Sequence, residues 1–320
     1  MSSKPERANL PRGDQPAAPA VTLHVVATAG FPDYALLDSG DGRKLERFGR
    51  FTVVRPEPQA LWRPALDPSQ WLQADATFKS AAADEDGDGG RWSKNAGVSE
   101  TWPVRVLGAT LQCRLTTFRH LGLFPEQLPH WEWMLQWMKG ASEKPARILN
   151  LFAYTGAASL VAARAGADVT HVDASKKAIA WAKENQVASN LAEAKIRWIL
   201  DDARKFVARE VRRGKTYDLI LVDPPKFGRG PEGEVWDVFT HLAPLLRDCA
   251  ALLAPGRAAL VLTTYAIRAS ALATDGLVRE CMAGRAGVCE SGELAVIDHA
   301  AGRLLPTSLF TRWTSDDAAS

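Results

Sequence analysis

Residues 147–173 read RILNLFAYTGAASLVAARAGADVTHVD, and this stretch restricts the possible folds more than any other. A short apolar run at 148–152, as in a buried parallel strand, passes through Thr155 and Gly156 into an Ala-rich segment of strong helix formers ending at Gly166. A second apolar run, 169–172, stops on a carboxylate, Asp173. The order strand, turn, helix, strand predicts a doubly wound α/β sheet. In such sheets a ligand lies outside the carboxyl ends of the strands, where an acid ending the second strand can bind a ribose hydroxyl. Asp173 stands at about the right distance from the turn, so a nucleoside is expected here. A dinucleotide would need a G-x-G-x-x-G turn for its pyrophosphate. The turn instead carries Asn150, Phe152 and Tyr154 before its one glycine, Gly156. Such a bulky turn suits a ligand without phosphates, such as S-adenosylmethionine (SAM). Taken alone, the stretch also fits an α/β core that binds nothing.

Residues 218–227, DLILVDPPKF, narrow the choice. An apolar strand ends on Asp223, and Pro224 and Pro225 fix the backbone after it, giving a stiff loop with few amide donors. Its carbonyls can accept hydrogen bonds from a planar amino group. Alone, an aspartate before two prolines can be a plain turn; after the fourth strand of a nucleoside-binding sheet it points to a site.

NLFAYTG, VD at the end of the next strand, DDARKFV and DLILVDPPKFGRG, in that order and spacing, resemble the class I SAM-dependent methyltransferases. Within these, the chain is most similar to bacterial ribosomal RNA methyltransferases that modify large-subunit bases and carry a DPP-x-F motif. The resemblance spans roughly residues 110–315. It implies SAM as cofactor, held by Phe152, Ala153, Tyr154, Thr155, Gly156, Asp173, Ala174, Ser175, Asp202 and Ala203, with Asp202 accepting from the adenine amino group and Ala203 donating its amide. Two solvated carboxylates, Asp201 and Asp202, acting as helix caps are compatible with that role. A G-x-F turn of similar enzymes packs over the cofactor, which adds Phe124 and Gln127. Asp223, Pro224, Pro225, Lys226 and Phe227 are the implied catalytic loop.

The expected architecture is α/β: a seven-stranded, doubly wound Rossmann-like methyltransferase domain over 140–320, preceded by a smaller β-rich α+β domain over 21–139 and a disordered tail over 1–20. In the smaller domain Leu23, Val25, Val26, Phe51, Val53 and Val54 are expected to be buried, with a hairpin turning at 38–42. Arg43, Lys44, Arg47, Arg50 and Arg55 cluster there, either as a solvated face or as an RNA contact. Residues 84–89, DEDGDG, match the first half of a calcium loop, but Asn95 stands where a bidentate Glu is needed, so a polar hairpin tip is expected and no metal is assigned. Trp62, Trp71, Trp92 and Trp102, and the stripe Trp131, Met134, Leu135 and Met138, read as core rather than base-stacking surfaces. His120 and His130 are read as structural.

A formal charge of +2 gives no support of its own to a nucleic-acid partner. Cys113, Cys249, Cys281 and Cys289 form no C-x-x-C pair, and no apolar run is long enough to span a bilayer. A reducing, cytoplasmic setting is therefore expected. Methylation of a base carbon needs a thiolate after the fourth or fifth strand, where this chain has Pro224, Pro225 and Lys226 or Thr263, Thr264 and Tyr265. The expectation is thus methylation of a base nitrogen in ribosomal RNA, with Asp223 orienting the base and Phe227 stacking on it. Open alternatives are a small-molecule or protein methyltransferase, a 5-methylcytosine enzyme, and a SAM-fold RNA-binding module with little activity.

Overall fold

The structure, a computed structural model, describes residues 21–81, 89–140, 144–265 and 267–316. The tail at 1–20 and residues 84–88 of the acidic stretch lie outside the described residues. In chain order the elements begin with β1 (Leu23–Thr28), β2 (Tyr34–Gly40), β3 (Arg43–Phe48), β4 (Phe51–Pro56), α1 (Pro68–Leu72), β5 (Ala76–Ser80), β6 (Gly90–Lys94), β7 (Thr101–Val106) and β8 (Ala109–Arg114). A 3₁₀ turn, Pro125–Gln127, leads into α2 (Leu128–Lys139). There follow β9 (Arg147–Leu151), α3 (Ala157–Arg164), β10 (Asp168–Asp173), α4 (Lys176–Ala188), β11 (Ile196–Leu200), α5 (Ala203–Arg212), β12 (Leu219–Val222), β13 (Phe227–Arg229), β14 (Val235–Asp237), α6 (Val238–Leu252), β15 (Ala259–Tyr265), α7 (Ala271–Cys281), β16 (Gly287–Ile297) and β17 (Leu304–Ser315).

The large sheet has the order β1-β16-β17-β15-β12-β9-β10-β11 among the described residues. Its seven strands from β9 onward are the expected ones, closing with the antiparallel pair β16 and β17. In the centre, β9, β10 and β12 run parallel and in register, Val172 and Val222 both facing Leu151, so their carboxyl ends open at one level. These strands are apolar without alternation because helices cover both faces. Helices α2 and α3 share the core on one face, and α5, α6 and α7 pack on the other. The predicted α4 is found with its Ser175 cap, whose Oγ accepts from the Ala178 amide at 3.2 Å.

The eighth strand corrects the sequence reading. β1 pairs parallel to β16 at the sheet edge, leaving Leu23 at 46% and Val25 at 60% exposure instead of buried. Phe51, Val53 and Val54 are buried as expected. They belong to a second sheet, β2-β3-β4-β5-β6, whose β2–β3 hairpin turns where the Asp-Gly signals lie. The core is continuous from Phe48 and Trp102 of this region to Ile148 and Leu160 of the large sheet's layer. A polar latch adds to it: Ser39 Oγ donates to Asp298 Oδ2 at 2.7 Å, between β2 and the turn joining β16 to β17.

The basic cluster is also divided. Arg55 is buried and makes two 2.7 Å bonds to Glu46, which also accepts from Tyr34 Oη at 3.0 Å. Lys44 pairs with the buried Glu57 at 3.0 Å. These two cations are held in buried ion pairs and do not form a solvated face. Removing one partner of a buried pair leaves an uncompensated charge. Glu46→Ala is therefore expected to cost about 3–5 kcal/mol, read as a lower urea midpoint, and E46M/R55M to recover most of it. An E46A variant as stable as the parent would show that the pair does not hold this sheet.

Candidate active site

The carboxyl ends of β9, β10, β11 and β12 open into a cavity of about 770 Å³, within the size range of small-molecule sites. Phe124, Gln127, Phe152, Ala153, Tyr154, Thr155, Asp173, Ala174, Ser175, Asp202, Ala203, Asp223, Pro224, Pro225, Lys226 and Phe227 all line it. Of the residues selected from sequence only Gly156 does not. It caps α3 at φ +87°, and a Cβ there would sit 3.2 Å from that of Ala182.

The turn after β9 takes a backbone shape usually left to glycine. Phe152 has φ 56° and Tyr154 φ 50°, each costing about 1–2 kcal/mol for a side-chain-bearing residue. Asp173 holds this conformation from the next strand: its Oδ2 accepts the Tyr154 amide and its Oδ1 the Ser175 amide, both at 2.8 Å. Burial raises the Asp173 carboxyl pKa, and the two amides only partly offset that. From above, Thr155 Oγ1 donates to the Gly122 carbonyl at 2.6 Å, and the Phe124 and Tyr154 rings meet at 5.6 Å. The G-x-F segment therefore packs on the turn. Gly122 is at φ +98°, and a Cβ there would run into the Trp181 ring.

Asp202 caps α5, its Oδ1 accepting the Arg204 amide at 2.9 Å and the Lys205 amide at 3.2 Å, and it pairs with the Arg204 guanidinium. Asp201 instead pairs with Arg209 at 2.6 Å. Past β12, Asp223 accepts from Gln127 Nε2 at 3.3 Å, and Gln127 Oε1 lies 3.5 Å from Thr263 Oγ1. Burial, with the charge of Glu126 adding to it, pushes the Asp223 carboxyl up to about 7. Of the loop carbonyls expected to face the ligand, that of Pro225 already accepts from the Trp236 indole at 2.7 Å. Phe227 is 62% exposed with Lys226 over its ring.

Sequence reasoning missed part of the cavity wall, Glu126, Arg119, Tyr265 and Ser308; His120 and His130, read from the sequence as structural, line it as well. Burial raises the Glu126 carboxyl pKa, and Arg119 donates to Tyr265 Oη at 3.0 Å. Tyr265 had a signal, its place at the tip of the fifth strand; Glu126 had none beyond its turn. The four cysteines lie elsewhere, Cys113 and Cys249 being fully buried. Among the described residues no helix is long and apolar enough to cross a membrane. Gly156→Ala tests the fit of the turn. The strain of a Cβ at positive φ is expected to cost about 1–2 kcal/mol in urea unfolding, and an unchanged midpoint would mean that the turn tolerates a side chain there.

The sequence profile of the S-adenosylmethionine-dependent methyltransferases matches residues 87–296, well over half the chain. A SAM-dependent methyltransferase from Agrobacterium tumefaciens superposes with a TM-score of 0.86 at 51% identity, over 93% of this chain and 94% of that one. SMU.776, solved in complex with S-adenosylhomocysteine (SAH), shares the fold at a TM-score of 0.66 and 19% identity, over 88% of this chain and 75% of that one. The large-subunit ribosomal RNA methyltransferases K/L of Shewanella frigidimarina and Shewanella oneidensis are 37% identical over 150 residues, 46% of this chain. This chain spans 20% of the length of those relatives. The chain belongs to the S-adenosylmethionine-dependent methyltransferase family, and SAM is its cofactor.

Proposed function

We propose that this methyltransferase acts on a nitrogen of a ribosomal RNA base, in the cytoplasm. The observation that carries the reading is Asp223, a carboxylate on a proline-stiffened strand tip inside the cavity, with an exposed aromatic ring, Phe227, four residues on. The named activity of the Shewanella relatives supports an RNA acceptor. So do the cationic residues Arg119, Lys226 and Arg229 in the cavity wall and the exposed rings of Phe118 and Phe227, which suit phosphates and unstacked bases. Residues 34–114, which carry the second sheet and the β7–β8 hairpin, would serve as the accessory unit that presents the RNA.

The donor set fits the cofactor. A carboxylate has about four acceptor positions, and the two backbone amides on Asp173 leave room for ribose hydroxyls. Asp202 and Ala203 would take the adenine, Phe124 and Gln127 would cover the cofactor, and the bulky turn lacks a phosphate cradle. SAM, when bound, supplies a methyl group made electrophilic by the sulfonium. What falls to the chain is alignment and exclusion of water. Asp223, steadied by Gln127, accepts a hydrogen bond from the N–H of the acceptor base, turning the nitrogen's electron pair toward the methyl group. Pro224 and Pro225 keep that carboxylate in place, Phe227 stacks on the base and Lys226 steadies a phosphate. A covalent route through cysteine has no support from position: burial holds the Cys113 and Cys249 thiols far above their usual range and Cys289 at about 11.

Asp173→Ala is expected to weaken SAM binding about 10- to 100-fold, as loss of a buried charged hydrogen-bond partner does, measured by calorimetry. Parent-like affinity would remove Asp173 from the site. Ionised Asp223 is the acceptor, so kcat/KM is expected to rise with pH through about 7 and then level off. Asp223→Asn should abolish that rise and lower kcat about 10²- to 10⁴-fold; a variant with the parent's rate and profile would end the assignment. The linked stability has the opposite sign. With its pKa raised on folding from 3.8 to about 7, the native state holds the extra proton in between, and stability falls as pH climbs through that window. Asp223→Asn should therefore raise Tm at pH above 7.

A further inference from the structure

The strand order divides the cavity. Asp173 and Asp202 follow β10 and β11 on one flank of Asp223, whereas β15 and β17 supply Thr263, Tyr265 and Ser308 on the other. That second flank is covered by Gln127, His130 and Trp131 from the 3₁₀ turn and the start of α2. Two of its polar side chains lack partners. His130 is 2% exposed and Ser308 7%, and neither ring nitrogen of His130 nor the Ser308 hydroxyl has a hydrogen-bond partner among the described residues. The His130 ring packs edge-on against Phe310 at 5.1 Å. Ser308 and Phe310 are two residues apart on β17 and so point to the same face, the one that His130 covers.

A buried polar group left unsatisfied costs about 1–3 kcal/mol, and native proteins keep few of them without a reason. Here three such atoms belong to two residues that line one cavity, on the flank opposite the expected nucleoside cofactor. Burial, reinforced by Arg312, pushes the His130 pKa down to about 3. The ring is therefore neutral, with one nitrogen donating and the other accepting. It has no charge with which to bind the cofactor's ionic amino-acid tail, whereas it matches an uncharged planar edge that carries both a donor and an acceptor.

We propose that His130 and Ser308 form the floor of the methyl-acceptor subsite and recognise the edge of a planar heterocycle on which a hydrogen-bond donor lies beside an acceptor, as on a nucleobase. This rests on the proposed RNA-base function and adds the residues that read the base. His130 is then a specificity residue, in place of the structural role that the sequence suggested.

The test uses full-length protein carrying His130→Phe, which keeps a ring against Phe310, His130→Gln, which restores a donor and an acceptor, or Ser308→Ala. SAH affinity is measured by calorimetry, and methyl transfer on an unmodified transcript of large-subunit ribosomal RNA. The His130 ring ¹⁵N resonances of the SAH-loaded parent are followed during titration with each of the four free nucleosides. SAH affinity is expected to stay within about threefold of the parent's, while His130→Phe and Ser308→Ala raise KM for the transcript about tenfold or more and His130→Gln regains part of the loss. At least one nucleoside should shift the His130 resonances. Tenfold weaker SAH binding by His130→Phe would give the pocket to the cofactor tail and overturn the proposal. Silent His130 resonances with all four nucleosides would overturn it too, as would variants with the parent's KM. A parent that binds SAH but leaves the transcript unmethylated would defeat the RNA reading, and the nucleoside titration would still decide the role of His130.

Discussion

The grip of one carboxylate on its neighbouring loop underlies the rest of the site. Asp173, at the end of β10, accepts the amide of Tyr154 and so holds in place a turn in which Phe152 and Tyr154 both have positive φ. A glycine-rich turn would adopt this shape without strain and would leave space for phosphate oxygens. Here side chains fill that space, and the strain of the turn is offset by hydrogen bonds and by the Phe124 and Trp181 rings packed around Tyr154. The same carboxylate also holds Ser175, whose hydroxyl caps α4. Backbone shape and helix start therefore depend on a single side chain.

The in-register parallel strands extend this local constraint to a whole site. Because β9, β10 and β12 end at one level, the loops carrying Phe152, Asp173 and Asp223 emerge together. Two prolines then limit how far Asp223 can move. Its raised pKa comes from its burial at the strand tip and from the nearby charge of Glu126. A carboxylate that is costly to ionise when free would be matched, under the proposed function, to an N–H donor arriving with the substrate.

Much of this could be read from the sequence because it is encoded locally. The apolar run before Asp173, the Ser175 cap and the Asp-Pro-Pro segment each have a short-range signature, and the seven sheet strands from 147 onward fall where expected, whereas the small β13–β14 hairpin had no such signal. What escaped the reading depends on distant partners. Nothing in residues 23–28 indicates that the strand joins β16, more than 250 residues later, and leaves Val25 outside the core. Arg55 looked like part of a basic surface because its partner, Glu46, is placed beneath it only by the β3–β4 pairing. His130 is one of several polar residues on an otherwise apolar helix, and its lack of a partner becomes visible only when Phe310 and Ser308 are brought alongside.

The most direct measurement of the central claim is a crystal structure of the protein with SAH. The account predicts the ribose on Asp173, the adenine beside Asp202 and Ala203, the sulfur facing Asp223, and Phe152 and Tyr154 still at positive φ. Density for the ligand outside this cavity, or a turn relaxed to ordinary φ values around it, would contradict the account.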